Sequence, residues 1–288
     1  YELLKELQYH FPEAIISAFT ATADEETRAD INNKLTNGEG KIFLYGFNRP
    51  NLSLAVQQKT NNWKIQLSEF LVNKKNQSGI VYCLSQKLTE QCAEFLKSEG
   101  FNAYPFHAGL DAEVKVNTQN KFMTEDNVVV CATIAFGMGI DKANVRYIAH
   151  ISLPGSMEAF YQEIGRAGRD GLESETMLIF GLQDLFQRKR FIDMSDADDS
   201  FKIKEHKRLD SLIAYCDSAT CRRQSLLSYF RETCEPCGKC DNCLDPPQMI
   251  EGTDYAQMVL SAIYRTGQYF GSGHIVDVLR GVKNSKVK

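Results

Sequence analysis

The sequence has 288 residues, of which 43% are hydrophobic and 24% are charged, and its formal net charge is −4. This is the balance of a globular protein with enough residues for about two domains. The sequence also excludes a membrane-spanning protein, because no run approaches the ~20 consecutive apolar residues that a spanning helix requires.

The N-terminal segment, residues 1–7, is amphipathic and acidic, unlike a secretion signal. It also lacks an initiator Met, so we expect the chain to begin inside a longer protein.

From about residue 40 to 182, short apolar or β-branched runs alternate with helical patterns. This alternation, with continuous apolar strands, predicts an α/β fold: a mostly parallel sheet covered by helices. The predicted strands are Ile42–Tyr45, Leu52–Gln57, Gly79–Cys83, Ala103–Phe106, Val128–Ala132, Arg146–Ile151 and Thr176–Phe180. The predicted helices between them are 62–74, 86–99, 112–124 and 157–166.

Residues 193–200 form an acidic, turn-prone break, and the pattern beyond it is helical. Residues 202–231 carry seven Lys and Arg residues against three acidic ones. Charge alone favours a solvated helix face over a nucleic-acid surface, so motifs must decide. Two prolines at 246 and 247 end this unit, and helices are predicted at 254–266 and from 268 to 280.

Six of the nine cysteines fall between residues 216 and 243. Clustered cysteines at three-residue spacing indicate a metal site in a reducing compartment rather than disulfides. Structural zinc prefers four thiolate or imidazole ligands, and no histidine lies within 207–273, so the ligands should all be cysteine. Spacing leaves the choice of four open among Cys216, Cys221, Cys234, Cys237, Cys240 and Cys243.

The segment 156–171 is the most informative one. Ser156 is a good N-cap, and the following apolar residues have helical spacing. If the helix continues, Gln162, Arg166 and Arg169 form one row beside two glycines, which suits contact with phosphate oxygens. The alternative is an ordinary surface helix, in which two glycines would only cost stability.

The string QEIGRAGRDG at 162–171 resembles motif VI of superfamily 2 helicases in the form found in the RecQ family. Four further segments resemble other helicase motifs in the family's order. They are SAFTATAD at 17–24 (motif III), GIVYCLS at 79–85 (motif IV), YPFHAGL at 104–110 (the following strand-loop motif) and ATIAFGMGID at 132–141 (motif V).

The resemblance implies that ATP lies in a cleft between two RecA-like domains and that motif VI reaches it from the second domain. Arg169 is then expected to be the arginine finger on the γ-phosphate. Arg166 would assist it or contact the facing domain, and Gln162 would couple the nucleotide to the cleft.

The resemblance also implies roles for the other motifs. Gly137, Gly139 and Asp141 of motif V, with Gly165 of motif VI, are expected beside the nucleotide. Thr20, Thr22, Ser85 and His107 are expected to couple nucleotide state to DNA, although a hydrogen-bonded loop histidine is an equal reading of His107.

The family's zinc module has a Cys-Arg pair on a helix and then Cys-x-x-Cys-x-x-Cys after a loop. By this resemblance the zinc ligands are Cys221, Cys237, Cys240 and Cys243, with Cys234 and Cys216 set aside. The implied architecture is a RecA-like parallel sheet with helices on both faces, a small helical zinc-binding module with four cysteine ligands, and the start of a winged helix. The implied domains are 1–24, the tail of a first RecA-like domain, then 25–192, 193–247 and 248–288.

The implied function is ATP-dependent 3′–5′ DNA unwinding in replication, recombination and repair, with ATP, Mg²⁺ and structural Zn²⁺. The implied partners are DNA junctions, ATP, and repair or single-strand-binding proteins of a monomeric enzyme. The implied cellular location is the bacterial cytoplasm, at the nucleoid, or the nucleus if the protein is eukaryotic. Two alternatives stay open: a superfamily 2 RNA helicase, and a zinc-stabilised DNA-binding protein with a non-catalytic RecA-like domain.

The sequence contains neither a G-x-x-x-x-G-K-[ST] phosphate loop nor an Asp-Glu-x-His segment. In the family both precede motif III. We therefore expect this chain alone to be inactive, with ATP and Mg²⁺ bound only together with the missing first domain.

Overall fold

The structure, a computed structural model, describes residues 2–20, 25–137 and 139–282. Two compact units are present, Tyr1–Pro246 and Pro247–Lys288. The strands are β1 Leu52–Gln58, β2 Ser78–Tyr82, β3 Asn102–Phe106, β4 Val128–Ala132, β5 Val145–His150 and β6 Ser174–Phe180. After a short 3₁₀ helix at Glu2–Glu6, the helices of the first unit are α1 Leu7–His10, α2 Glu25–Thr36, α3 Trp63–Leu71, α4 Gln86–Ser98, α5 Ala112–Thr124, α6 Met157–Ile164, α7 Leu182–Asp193, α8 Asp199–Asp217, α9 Arg222–Tyr229 and α10 Asp241–Leu244.

The six strands form one parallel sheet in the order β1-β6-β5-β2-β4-β3. Both faces are buried, because successive residues of a strand point to opposite sides. In β2, Ile80 and Tyr82 belong to one core cluster, and Val81 belongs to the other. This confirms the predicted α/β fold with helices on both faces, and explains why the strand runs are continuously apolar.

Side chains initiate several of the helices. Ser85 and Ser156 each accept a hydrogen bond from a backbone N–H one turn ahead, at 3.2 Å, and so cap α4 and α6. Asp198 caps α8 in the same way at 2.8 Å, directly after the acidic break. The caps therefore fix where three predicted helices begin.

The helical module after the break packs on one face of the sheet. Leu209, Leu212, Leu226 and Phe230 belong to the same core cluster as α6 and the β5 residue Ile148. The module therefore shares a continuous core with the sheet. In the second unit, α11 Thr253–Arg265 and α12 Ser272–Leu279 pack against each other.

The predicted strand Ile42–Tyr45 is wrong. This segment is irregular, and its four side chains are 51–88% exposed. An apolar run forms a strand only where a sheet edge accepts its hydrogen bonds, and local sequence cannot supply that edge. The other six predicted strands and the predicted helices are present, with ends shifted by a few residues. Among the described residues no helix has the length and apolar character to cross a membrane.

Gly79 in β2 allows the closest packing of the sheet core. A Cβ at this position would lie 2.0 Å from Cε2 of the fully buried Tyr147. We expect Gly79→Ala to lower the free energy of unfolding by about 1–3 kcal/mol, because the ring must move within a filled core. Chemical denaturation of the purified chain measures this.

Gly155→Ala is the matched control, since its Cβ would meet no atom within 4 Å in the described part of the chain. Equal stability of the two variants would contradict the packing around Tyr147.

Candidate functional site

The helix of motif VI is shorter than predicted. α6 ends at Ile164, and the chain turns at Gly168, whose φ of +56° lies in the left-handed region. The N–H of Gly168 donates to the carbonyl of Val145 at 2.9 Å instead of continuing the helix. The predicted row of Gln162, Arg166 and Arg169 along one helix edge is therefore wrong, because α6 ends before Arg166 and the chain turns at Gly168 before it reaches Arg169.

Arg166 points from this turn into the motif V loop. Its Nη1 donates to the carbonyl oxygen of Gly137. A Cβ on Gly137 would lie 2.5 Å from Nη2 of the same guanidinium, so only glycine leaves room for it. Arg166 of the same domain thus occupies the space beside Gly137.

Arg169 contacts the end of the motif V loop. Its Nη1 donates to the carbonyl of Ile140 at 3.0 Å and to Oδ1 of Asp141 at 2.6 Å. The side chains of Arg169 and Asp141 are 36% and 85% exposed, so solvent weakens the ion pair and a ligand can reach the guanidinium. Gly139 has φ +80°, which lets the loop turn toward Arg169.

A buried pair of polar side chains, His150 and Glu163, lies beneath the motif V and motif VI loops. Nε2 of His150 at the end of β5 lies 2.7 Å from Oε2 of Glu163 in α6, and both side chains are buried. The His150 ring stacks on Tyr82, whose hydroxyl donates to the carbonyl of Phe136 at 3.3 Å. Burial raises the pKa of Tyr82, with Glu163 adding to the rise and Arg166 opposing it, so the phenol keeps its proton.

Sequence reasoning did not find this group. A histidine at a strand end and a glutamate two residues before a motif glycine carry no spacing signal, because only the packing of α6 against the end of β5 brings them together.

The other predicted site residues lie in several parts of the structure. Gln162 is exposed on α6, Thr20 lies in an exposed segment, and Thr22 is outside the described residues. Ser85 caps α4. The carbonyl of Gly165 accepts a bond from Arg49 at 3.3 Å.

His107 is 3% exposed, and its Nε2 lies 3.2 Å from Oε1 of Glu90. The structure thus shows it as a buried, hydrogen-bonded loop residue.

The structure brings together the four cysteines that the resemblance selected. The sulfurs of Cys221, Cys237, Cys240 and Cys243 all lie within 4.8 Å of one another. The Cys221 and Cys240 sulfurs are 3.9 Å apart, close to the roughly 3.8 Å edge of a tetrahedron with Zn–S bonds of about 2.3 Å. Cys216 and Cys234 are not in this group. The donor set therefore fits a structural zinc ion.

Backbone donors surround the cluster. The N–H of Arg222 donates to Sγ of Cys240, and the N–H of Cys237 donates to Sγ of Cys221, both at 3.3 Å. Cys221 is the N-cap of α9 and Cys240 the N-cap of α10, where helix dipoles favour negative charge. Cys221 thus joins the start of α9 to the loop that carries the other three cysteines.

Most basic residues near the cluster have partners within the chain. Arg222 pairs with Asp241 at 2.9 Å and donates to carbonyls at the end of α8, including that of Tyr215. Lys239 pairs with Glu173 at 2.8 Å, and Arg231 pairs with Glu25. Of the basic residues in 202–231, Arg222 and Arg231 thus have acidic partners within the chain.

We expect the purified chain to bind about one zinc ion, and Cys240→Ser to lose it because three thiolates leave the tetrahedral site incomplete. Metal analysis with a thiol count measures both quantities. Cys234→Ser is the matched control and should keep its zinc. Loss of zinc in Cys234→Ser would overturn the assignment of the four ligands.

Three known families match consecutive parts of the chain. Residues 63–171 match the helicase conserved C-terminal domain, 182–244 match the RecQ zinc-binding family, and 246–288 match the RQC domain. The first match contains motifs IV to VI, and the second contains all four clustered cysteines.

Whole-chain relatives agree. ATP-dependent DNA helicase RecQ of Haemophilus influenzae is 41% identical over the whole chain, and that of Bacillus subtilis is 38% identical over 95% of it. A protein of Acanthamoeba polyphaga mimivirus, provisionally named an ATP-dependent RNA helicase, is 34% identical over 96% of the chain. The match covers 52% of the length of the viral protein. The chain spans 46% of each of the two bacterial relatives. With three successive domains in the family's order, this chain belongs to the RecQ helicase family.

Proposed function

We propose that the chain is the part of an ATP-dependent 3′–5′ DNA helicase of RecQ type that carries the second RecA-like domain, the zinc module and the first helices of the RQC domain. The observation that carries this is the meeting of the motif V and VI loops, where Arg166 fills the space at Gly137 and Arg169 contacts Asp141. In a domain without motor function, selection would not maintain this fit between two glycines and two arginines of the motif V and VI loops.

In this proposal Arg169 is the arginine finger. Its guanidinium is held at the surface by Asp141 and can exchange that carboxylate for the γ-phosphate oxygens of ATP. Arg166 keeps its bond to the carbonyl of Gly137 and so ties the motif VI turn, from which Arg169 projects, to the motif V loop. In this proposal Gln162 couples the nucleotide to the cleft, Gly139 and Gly165 lie beside the nucleotide, and Thr20, Thr22, Ser85 and His107 couple nucleotide state to DNA.

The phosphate loop and the Asp-Glu-x-His segment belong to the first RecA-like domain, which supplies Mg²⁺ and most of the nucleotide contacts. We assign residues 1–24 to the tail of that domain and residues 25–192 to the second RecA-like domain. Residues 193–247 are assigned to the zinc module and 248–288 to the start of the winged helix. Zinc, held by Cys221, Cys237, Cys240 and Cys243, is structural because four thiolates leave it no open position.

DNA is the proposed substrate, and the proposed processes are replication, recombination and repair. The helicase would act as a monomer, in the bacterial cytoplasm or in the nucleus of a eukaryote. An RNA substrate is the second candidate, favoured only by the provisional name of the mimivirus relative. Single-stranded DNA and RNA of equal length, compared as activators of ATP hydrolysis by the full-length protein, discriminate between them. Stronger activation by RNA would reject the DNA proposal.

We expect Arg169→Ala in the full-length protein to lower kcat for DNA-stimulated ATP hydrolysis by about 10³–10⁵, with DNA binding retained, because charge on the transferring phosphoryl group loses its partner. Phosphate release and DNA binding are the measurements. Arg190→Ala, an exposed arginine of α7, is the control and should leave kcat unchanged. An unchanged kcat in Arg169→Ala would reject the arginine finger.

The 288-residue chain itself should not hydrolyse ATP, because it contains no phosphate loop. DNA-stimulated phosphate release by the pure chain would contradict the assignment of catalysis to a missing domain.

A further inference from the structure

The backbone of the motif VI turn is held by a residue from outside the helicase motifs. The guanidinium of Arg49 donates to the carbonyls of Gly165 at 3.3 Å, Ala167 at 3.0 Å and Gly168 at 2.8 Å. These three carbonyls lie in the turn that follows the end of α6 at Ile164. The segment between them contains Arg166, and Arg169 follows directly, so Arg49 fixes the main chain from which both arginines project.

Asn51 adds two hydrogen bonds to the backbone of the same turn. Its Nδ2 donates to the carbonyls of Gly168 and Leu172, both at 2.9 Å. A Cβ on Gly168 would lie 2.4 Å from the same Nδ2. The glycine of motif VI is therefore required by the approach of Asn51, in addition to its left-handed φ.

Arg49 and Asn51 are in turn held by the zinc module. Arg223, in the first turn of α9 and two residues after the zinc ligand Cys221, is 6% exposed. Its Nη1 donates to Oδ1 of Asn48 at 2.9 Å and to the carbonyl of Arg49, and its Nη2 donates to the carbonyl of Leu52. A buried guanidinium with these acceptors fixes the path of residues 48–52.

Aromatic packing keeps the same segment between the two parts. The Phe47 ring stacks on Phe230 of the zinc module, with centroids 4.3 Å apart. The hydroxyl of Tyr161 in α6 donates to the carbonyl of Phe47 at 2.9 Å. Residues 47–52 thus contact the zinc module on one side and the motif VI helix and turn on the other.

We infer that Arg223 and Arg49 are positioning residues, through which the folded zinc module sets the conformation of the motif VI turn that carries Arg166 and Arg169. Their effect on catalysis rests on the proposed function, whereas their effect on the turn does not. Neither arginine touches the nucleotide in this inference. The zinc ion acts at a distance, by holding the start of α9, where Arg223 is anchored.

Hydrogen exchange of the 288-residue chain, followed by mass spectrometry, tests the link. Amides 165–168 are hydrogen-bonded to main-chain carbonyls, so their exchange reports the opening of the turn. We expect Arg49→Gln and Arg223→Gln to speed exchange in peptides covering 161–172 about tenfold, because hydrogen bonds from a charged donor are lost. Peptides covering α4 should not change.

Lys239→Ala is the matched control. Lys239 joins the zinc module to the start of the sheet's last strand through Glu173, so this variant removes a charged link between the same two parts without touching residues 48–52. Its exchange in 161–172 should equal that of the wild type. An effect equal to that of Arg223→Gln would overturn the specific route.

Zinc removal tests the origin of the link. Chelation of the wild type should speed exchange in 161–172, and in zinc-loaded Arg223→Gln it should add little further. Zinc content is measured on every sample. Arg49→Gln lies outside the zinc module, so it tests the route even if Arg223→Gln does not fold. Unchanged exchange in zinc-loaded Arg49→Gln would overturn the inference.

Kinetics of the full-length protein separate this inference from the proposed function. Arg49→Gln should lower kcat for ATP hydrolysis about tenfold to a hundredfold, with KM for ATP nearly unchanged, because a misplaced turn misaligns Arg169 without removing it. A wild type without ATP hydrolysis would reject the proposed function and leave the exchange result standing. Faster exchange with unchanged kcat would reject the catalytic part of the inference.

Discussion

Guanidinium groups that donate to main-chain carbonyls hold the loops of this chain in place. A loop leaves carbonyl oxygens without partners, and each one that is buried costs free energy unless a donor reaches it. Arginine suits this role because its planar group offers five donors and stays charged at any physiological pH. Such bonds are made by Arg49, Arg166, Arg169, Arg188, Arg222 and Arg223.

The arrangement of these arginines links three regions that are distant in sequence. Arg223 of the zinc module holds the segment before β1, Arg49 of that segment holds the motif VI turn, and Arg166 of the turn holds the motif V loop. Each bond ends on backbone rather than on another side chain. The loops are therefore fixed in shape, while Arg169 and Asp141 remain at the surface, where exchange of partners costs little.

The composition of the zinc module indicates why a bound ion would contribute to its stability. The loop between α9 and α10 is polar, and α10 has only four residues, so burial of apolar surface contributes little there. Binding a structural zinc ion contributes about 10–16 kcal/mol of apparent free energy in small peptides. In the inferred link, part of that free energy would fix the start of α9, and Arg223 would carry the constraint to the sheet domain. A metal that takes no part in chemistry can influence the arginine turn in this way.

Much of the fold and the cysteine site follows from sequence patterns, because those patterns are local. Continuous apolar runs such as Val128–Ala132 are dictated by burial on both faces, and the three-residue cysteine spacing indicates a metal whatever the surroundings. The choice of four cysteines among six needed the family resemblance, since several sets satisfy the spacing.

Tertiary structure decided the rest. The run Ile42–Tyr45 has strand composition but no strand, and α6 ends at Ile164 while the N–H of Gly168 donates to the carbonyl of Val145 in the sheet. The roles of Arg49 and Arg223 were invisible for the same reason. Their acceptors lie more than 100 residues away, and only the order of the strands brings donor and carbonyl within bonding distance.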